Sequence, residues 1–284
     1  MLIKKGATGE DVKSIQKALG ISADGIFGPG TEAKVKYFQK TNGLTADGIV
    51  GRLTYYMIGI SPSGVAKDLP ESIIVSFPKD QYKHVETNKK QIYVHHTVSG
   101  GNAIGDINWW KSNDADIATT VVIDRNGGIY QVFPAKYWAH HLGIKSSIFK
   151  GFKIPSINTK LNRESIGIEI DSWGGLTKND KGEWLTYTKK VISNDKVIEY
   201  PEGFRGYYAF EKYTDSQIAA TKKLINKYCS DYDITSEYKG EEMWDMSIKA
   251  LKGEPGIWAH VSVRPDKSDC HPQIELINML KNLD

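Results

Sequence analysis

The 284-residue chain is long enough for one domain of about 200 residues and a small second domain. Its 40% hydrophobic and 25% charged residues are typical of a globular protein, and no apolar run approaches the ~20 residues that span a bilayer. The net charge of +3 comes from scattered basic residues rather than a basic stripe, so the sequence predicts neither membrane insertion nor nucleic-acid binding.

The N-terminal residues and the two cysteines indicate a compartment. The opening MLIKKGATGEDV has two lysines but no apolar segment behind them, unlike a secretory signal peptide. We therefore expect synthesis in the cytoplasm. Cys229 and Cys270 are expected to be reduced thiols rather than a disulfide framework.

An internal repeat marks the first sixty residues. Ala23–Gly28 (ADGIFG) recurs 23 positions later as Ala46–Gly51 (ADGIVG), and each copy supplies an Asp-Gly turn and a glycine that leads into a helix. Apolar spacing between these turns predicts a small three-helix bundle. The predicted apolar positions of the three helices are Val12, Ile15, Ala18 and Leu19; Ala33, Tyr37 and Phe38, with Val35 at the flank; and Leu53, Tyr56 and Met57.

Residues 5–59 resemble the peptidoglycan-binding domain often attached to bacterial and phage cell-wall hydrolases. The resemblance implies binding to bacterial peptidoglycan, and the alternative is a helical cap without a ligand. The matching residues are Gly9, Asp11-Val12, Ile15-Gln16, Leu19, Asp24–Gly28, Thr31, Val35, Phe38-Gln39, Gly43-Leu44, Asp47–Gly51 and Thr54.

A linker and a second domain follow the repeat. Ser61-Pro62-Ser63-Gly64 is small, polar and proline-containing, as linkers often are. We therefore predict a helical domain over residues 1–60, a linker over residues 61–79 and a larger domain over residues 80–284.

The first strong strand of the larger domain is Gln91–Gly100, QIYVHHTVSG. β-Branched and aromatic residues dominate it, and Ser99-Gly100-Gly101 ends it. Strand alternation places the adjacent His95 and His96 on opposite faces, so one can point into a site while the other packs.

The rest of the larger domain alternates strands with helices. Strand Ser165–Asp171 (SIGIEID) places Ile166, Ile168 and Ile170 on one face and Gly167, Glu169 and Asp171 on the other, with room above the glycine for a reacting group. The pattern predicts an α/β fold with a central mixed β-sheet flanked by helices. Between the two strong strands we predict a helix over Ala103–Lys111, with Trp109 and Trp110 on the sheet, and strands Thr119–Asp124 and Ile129–Phe133 around a turn at 125–128.

After the second strong strand, the sequence predicts an insert at 176–213 with hairpin-like patches Tyr187–Ile192 and Lys196–Tyr200. The capping box Thr214-x-x-Gln217 opens a helix that runs to about Cys229, with Ile218, Leu224, Ile225 and Tyr228 inward. A strand Ile257–Val261 and a closing helix after Pro272, with Ile274, Ile277 and Leu280 on one side, complete the domain.

His95, Glu169 and His260 all lie at or near predicted strand ends. A catalytic zinc ion uses three protein ligands and one water, and histidine nitrogens are good zinc ligands. The loop after His260 offers Asp269 and Cys270 side by side as a third ligand.

Residues 90–275, interrupted by the 176–213 insert, resemble the type-2 N-acetylmuramoyl-L-alanine amidases, a group that includes phage lysozyme-like amidases and peptidoglycan recognition proteins. The resemblance implies a zinc-dependent amidase with His95 as the first ligand and His260 as the second. The matching motifs are Tyr93–Thr97, Val122–Gly127, Ala139–Gly143, Asn162–Glu169, His260 and Lys267-x-Asp269.

The third ligand is less uniquely defined. The family pattern Lys-x-Asp-Pro or Lys-x-Cys-Pro selects Asp269 by its distance from Lys267, with Cys270 at the usual proline position. Counting ten residues from His260 selects Cys270 instead. We prefer Asp269, because the lysine register is local and loop lengths vary.

The resemblance also implies the catalytic roles. Some members carry a catalytic tyrosine where this chain has Thr119, and others use a glutamate in the Ser-Ile-Gly-Ile-Glu strand, so Glu169 takes the role of base. Lys267 or His141 is expected to stabilise the oxyanion. His140 and His96 are expected to pack or to support the ligands.

Together the two resemblances imply hydrolysis of the bond between N-acetylmuramic acid and L-alanine in peptidoglycan by a phage endolysin, which we expect to be monomeric and released from the cytoplasm to the cell wall. A non-catalytic peptidoglycan-recognition protein is the alternative, although such binders lose a metal ligand. A recycling amidase for soluble muropeptides is the third hypothesis, against which the wall-binding domain argues.

Overall fold

The computed structural model of the protein describes residues 2–42, 44–51, 54–55, 58, 60, 69, 71–100, 102–112 and 116–284. The chain divides into two compact units, Met1–Ser76 and Phe77–Asp284. Residues 61–68 and 70 of the predicted linker over residues 61–79 lie outside the described residues. In the ranges given above, no helix is long and apolar enough to cross a membrane.

Unit 1 contains α1 (Glu10–Ala18), α2 (Pro29–Thr41) and the two-residue strand β1 (Ile73–Ile74). The repeat is built around one glutamine in each copy. Gln16 Nε2 lies 2.7 Å from Asp24 Oδ1, and Gln39 Nε2 lies 2.8 Å from Asp47 Oδ1. Each glutamine also reaches a threonine fifteen positions downstream, at 3.0 and 3.1 Å. Both copies of the turn are thus held to their own preceding helix.

The predicted apolar face of α2 is only partly correct. Val35 is completely buried and Phe38 packs partly against the same core, but Ala33 and Tyr37 are exposed, the latter by 63%. The buried face of α2 carries Gln39, because its hydrogen bonds to the turn satisfy its polar atoms in the interior. Leu53, Tyr56 and Met57 of the predicted third helix lie outside the described residues.

Unit 2 holds the remaining regular elements. Its helices are α3 (Ala103–Lys111), α4 (Ser146–Gly151), α5 (Asn158–Arg163), α6 (Asp215–Tyr232), α7 (Ile248–Leu251) and α8 (Ile274–Lys281). Its strands are β2 (Gln91–His96), β3 (Val121–Ile123), β4 (Ile129–Gln131), β5 (Ser165–Ile170), β6 (Gly175–Lys178), β7 (Trp184–Leu185), β8 (Val191–Ile192), β9 (Val197–Phe204), β10 (Tyr207–Glu211) and β11 (Gly256–Ala259).

The strands of the central sheet that lie in unit 2 follow the order β4-β3-β5-β2-β11. β3, β5, β2 and β11 are parallel neighbours, and β4 is antiparallel to β3. Strands β2 and β5 are buried along their whole length, as expected for strands in the middle of a parallel sheet. The predicted mixed α/β sheet is confirmed, although β3 and β4 are shorter than predicted.

The insert forms a second sheet rather than isolated hairpins. Its five antiparallel strands follow the order β8-β7-β6-β10-β9. Leu176, Trp184, Ile192, Val197 and Ala209 make its core. The prediction of hairpin-like patches therefore identified part of the β-structure but missed that a single sheet unites it.

The longest helix of unit 2 begins at the cap that the sequence predicts. Thr214 accepts a hydrogen bond from Gln217 N–H at 3.1 Å, and the Gln217 side chain accepts one from Thr214 N–H at 3.0 Å, which completes the predicted capping box. The helix that follows, α6, runs to Tyr232 rather than Cys229 and packs against β3 and α8.

Two predicted helix faces need correction. In α3, whose bounds agree with the prediction, Trp110 is buried but Trp109 is 63% exposed. In α8, Ile274 is 54% exposed, and the inward positions are Leu276, Met279 and Leu280. In each helix the prediction placed on the packed face one residue that the helical turn directs to solvent.

Candidate metal centre and active site

Three buried side chains converge at one edge of the central sheet. Asp269 Oδ2 lies 2.8 Å from His260 Nδ1 and 3.2 Å from His95 Nδ1. Among the residues that the structure describes, these three form a group whose potential ligand atoms all lie within 4.8 Å of one another. The arrangement can hold a metal ion through two imidazole nitrogens and one carboxylate oxygen.

Parallel strand pairing brings these residues together. Ala259 at the end of β11 pairs with Val94 of β2, and a short 3₁₀ turn over His260–Ser262 follows directly. His260 therefore lies beside His95. The loop returns to this turn because Val261 N–H donates to Asp269 O at 3.1 Å, which places the Asp269 side chain between the two rings.

Burial and the two histidines set the charge state of this cluster. Burial alone would raise the pKa of Asp269, but the charge of His260 and hydrogen bonds with His260 and His95 hold it well below its ordinary value. Burial lowers the pKa of His95 to about 4, so its imidazole is neutral near pH 7. A carboxylate beside a neutral imidazole is the ionisation state that metal ligands require.

The outer nitrogen of His260 is held by backbone. His260 Nε2 lies 2.9 Å from Leu142 O, and Arg264 Nη1 donates to the same carbonyl at 3.2 Å. Asp266 in turn accepts two hydrogen bonds from Arg264, both at 2.8 Å. A ligating histidine commonly donates its second N–H to such an acceptor, which fixes the orientation of the ring.

The outer nitrogen of His95 begins a hydrogen-bonded chain. His95 Nε2 lies 3.0 Å from His141 Nδ1, and His141 Nε2 lies 2.8 Å from Ser165 Oγ. If His95 Nδ1 held a metal ion, the proton of His95 would reside on Nε2 and be donated to His141, which would donate its own to Ser165. Both ring nitrogens of His141 are thus occupied.

The space above Gly167 belongs to this chain rather than to a reacting group. A Cβ at Gly167 would lie 2.8 Å from Thr119 Cγ2 and 3.1 Å from His141 Nδ1. The glycine therefore makes room for the His141 ring, which corrects the expectation that substrate occupies this position.

Cys270 lies beside the cluster without joining it. Its thiol is buried and free, and burial together with the Asp269 charge raises its pKa well above the ordinary value. A metal ligand must be a thiolate, and this environment disfavours one. The geometry supports the Asp269 register.

Glu169 lies directly across from His95 in the β2–β5 pairing. Burial raises its pKa well above the ordinary value, and the negative charges of Asp269 and Asp106 add to this, while Lys267 opposes it. The carboxyl group lines a groove of about 380 Å³. A carboxyl group with a raised pKa at the edge of a groove is suited to general acid–base catalysis.

The comparisons with known proteins agree with this geometry. A family model described as N-acetylmuramoyl-L-alanine amidase matches residues 86–272, well over half of the chain. The chain belongs to this family. A second model, described as a putative peptidoglycan binding domain, matches residues 8–58. A comparison with curated proteins found no match.

Several solved structures are similar to parts of this amidase. The SleB N-terminal domain is 38% identical over 20% of this chain and 88% of its own length, with a TM-score of 0.20. PlyL is 16% identical over 75% of this chain and 99% of its own, with a TM-score of 0.42. A Burkholderia AP3 phage endolysin is 32% identical over 24% and 29% of the two chains, with a TM-score of 0.20.

The other two predicted supporting histidines have different surroundings. His140 is half-buried and stacks edge-on against Trp138 at a centroid distance of 5.4 Å. His96 lies on the opposite face of β2 from His95, where its Nδ1 is 2.9 Å from Tyr213 Oη. Neither contacts the three converging groups.

Sequence reasoning missed the residues that orient the metal ligands. In the amidase, Ser165 contacts His141 and Arg264 contacts the carbonyl of Leu142. In the sequence, Ser165 looks like an ordinary strand residue and Arg264 like an ordinary loop residue. Ser165 does lie within the matched motif Asn162–Glu169, so its position was a usable signal. Arg264 carried none, because it acts through backbone carbonyls that no side-chain pattern reveals.

Proposed function

We propose that this amidase is a zinc enzyme that hydrolyses the amide bond between N-acetylmuramic acid and L-alanine in bacterial peptidoglycan and acts as an endolysin. The observation that carries the proposal is the convergence of His95, His260 and Asp269, together with Glu169, which pairs with His95 and lines a groove.

The three converging groups fit a zinc ion by their chemistry. Two imidazole nitrogens and one carboxylate oxygen are a donor set found in catalytic zinc sites, which keep a further position for water. The second nitrogen of each histidine already has a partner within the protein, so the nitrogen left for the ion is Nδ1 in both. A zinc ion bound there would lower the pKa of its water toward about 7.

Glu169 moves the proton in this proposal. Its carboxylate accepts a proton from the water that attacks the carbonyl of the lactyl–L-alanine amide. The same carboxyl group then donates that proton to the departing amine of L-alanine. Its buried position raises the affinity of the carboxyl group for the proton between the two transfers.

Lys267 is the better of the two candidates for stabilising the oxyanion. Lys267 lies two positions before Asp269 in the same loop, and its positive charge opposes the rise in the pKa of Glu169. His141 has both ring nitrogens engaged by His95 and Ser165, which suits a positioning residue for His95. We therefore propose that Lys267 stabilises the oxyanion and that His141 orients His95.

The proposed biological role combines the amidase with wall binding. The match to a peptidoglycan binding domain supports delivery of unit 2 to the insoluble polymer rather than to soluble muropeptides. We propose that a monomer made in the cytoplasm reaches the wall through a partner pore and lyses the host. An intact host wall after coexpression with such a pore would refute this role without affecting the chemistry.

End-group analysis of digested sacculi tests the reaction. We expect new N-terminal alanine that disappears with a zinc chelator and returns with added zinc. New reducing sugar ends would indicate a glycosidase instead. Sedimentation with the sacculi but no new ends would indicate a non-catalytic binder, and Glu169 would then be a structural carboxyl group.

A further inference from the structure

The groove beside Glu169 is larger than the reacting amide requires. Its volume of about 380 Å³ lies within the range of roughly 300–1,000 Å³ typical of small-molecule sites. Glu169 occupies one part of its wall, and the rest comes from the loop after β2, from α3 and from the insert. The groove therefore extends from the reaction centre over surface that the chemistry of hydrolysis does not use.

Two exposed aromatic side chains line this extension. Trp109 of α3 is 63% exposed, and Tyr187 of the insert is 66% exposed. The tyrosine packs its ring edge-on against Trp173, just before the insert, at a centroid distance of 5.9 Å. Trp173 in turn packs so closely over Gly100 that a Cβ at this glycine would overlap its indole.

Polar groups also line this extension of the groove. Asp106 Oδ1 accepts a hydrogen bond from Ser99 Oγ, but its buried Oδ2 has no hydrogen-bond partner in the described part of the chain. Thr97 and Ser99 add hydroxyl groups to the same wall. Asp106 thus brings to the wall of the groove a carboxyl group whose hydrogen-bonding capacity the described residues do not fill.

This combination favours a saccharide over a peptide. Pyranose rings present apolar C–H faces to aromatic rings and hydroxyl or acetamido groups to carboxylate and hydroxyl partners. The wall carries two carboxyl groups, Glu169 and Asp106, so a neutral sugar meets less repulsion there than a peptide that bears carboxylates.

We propose that Trp109, Tyr187 and Asp106 form a saccharide subsite for the glycan rings that adjoin the muramic acid at the cleavage point. The insert over residues 176–213 thereby gains a function, because it supplies one aromatic wall of the subsite. The assignment rests on the proposed amidase reaction, because that reaction places the muramic acid at the Glu169 end of the groove and its neighbouring rings along the rest.

Two soluble substrates with the same stem peptide test the subsite kinetically, one with a single muramic acid and one with four sugar rings. For Tyr187→Ala we expect KM for the four-ring substrate to rise about five-fold while kcat stays constant, since aromatic contacts contribute roughly 0.5–1.5 kcal/mol. The KM for the single-sugar substrate should not change, and the Tyr187→Phe variant should have the wild-type KM for the four-ring substrate.

The matched control is Tyr208→Ala. Tyr208 is 65% exposed on β10 of the same insert sheet but does not line the groove, so its removal should leave both KM values unchanged. An equal rise in KM for both substrates after Tyr187→Ala would overturn the saccharide assignment, and so would no rise for either.

A binding measurement separates the subsite from the reaction. All seven tryptophans of the chain follow residue 100, so tryptophan fluorescence reports on unit 2 without a signal from the repeat domain. We expect a peptide-free tetrasaccharide to change this fluorescence in the chelator-treated full chain, and Tyr187→Ala to weaken the binding about five-fold. No change in the wild type would refute the subsite, whereas binding without hydrolysis of any substrate would refute only the proposed function.

Discussion

The two faces of β2 place adjacent histidines in different chemical surroundings. His95 points toward Asp269 and His260, whose donor atoms converge on one point. On the other face, His96 Nδ1 lies 2.9 Å from Tyr213 Oη, and His271 Nδ1 lies 2.7 Å from Tyr200 Oη. Both faces are buried and rich in histidine, so neither burial nor composition distinguishes them.

The difference lies in what completes each group of rings. Asp269 Oδ2 lies within 3.2 Å of Nδ1 of both imidazoles, so three ligand atoms face one point, whereas each phenol hydroxyl on the opposite face occupies one ring nitrogen. The rings there also stack, with centroids of His271 and Tyr213 4.3 Å apart. One face of β2 is therefore arranged as a ligand set and the other as a packed core.

Removal of the carboxylate should have the largest effect. We expect Asp269→Ala to lose bound zinc and all amidase activity, because two imidazoles alone do not complete the ligand set. The neighbouring Cys270→Ala should keep one zinc per chain. Zinc counting by atomic spectroscopy on both variants is the measurement, and retained zinc in Asp269→Ala would transfer the third ligand to Cys270.

Glu169→Gln should separate metal binding from catalysis. We expect zinc to remain bound and kcat to fall roughly 100- to 10,000-fold, because glutamine has nearly the same shape but cannot accept the proton. Sacculus digestion and zinc counting on the same preparation check this. An active variant would move the proton transfer to another residue.

The second histidine pair provides a smaller and more selective change. His141→Leu should weaken zinc affinity roughly 10- to 100-fold by leaving His95 Nε2 without its acceptor. His140→Leu is the matched control, because His140 contacts Trp138 rather than a ligand. Competition with a chelator of known affinity measures both, and equal affinities would show that His141 does not orient His95.

The smallest effect is expected on the packed face. Tyr213→Phe removes the hydroxyl that contacts His96 Nδ1 and accepts from His271 N–H at 3.1 Å. We expect a loss of about 1–3 kcal/mol in the free energy of unfolding with zinc content unchanged. Denaturant unfolding of the zinc-loaded protein measures it, with the exposed Tyr208→Phe as control, and loss of zinc would mean that the two faces are coupled.

The sequence was most informative where side-chain alternation and fixed motifs coincide. Strand alternation separated His95 from His96, and the position of Lys267 selected Asp269 over Cys270. Both inferences hold in the structure because they depend on local geometry. The same reasoning left His141 as a candidate for oxyanion stabilisation, since only the tertiary structure shows that both of its nitrogens are occupied.

Packing partners explain the remaining differences. Tyr37 and Ile274 are large and apolar, yet they are exposed because the buried surfaces of α2 and α8 are turned away from them. The insert has few long apolar runs, so its five-stranded sheet could be recognised only from pairing between distant segments. Tyr187 acquired its place in the groove through that pairing.

The glutamines of the repeat and the metal centre also differ in how far apart their partners lie along the chain. Gln16 and Gln39 reach side chains 8 to 15 positions away, whereas His95 and Asp269 are 174 positions apart. Short loops close at a smaller entropic cost and faster than long ones. The repeat can therefore acquire its native contacts early in folding, while the metal centre can form only after the whole parallel sheet has assembled.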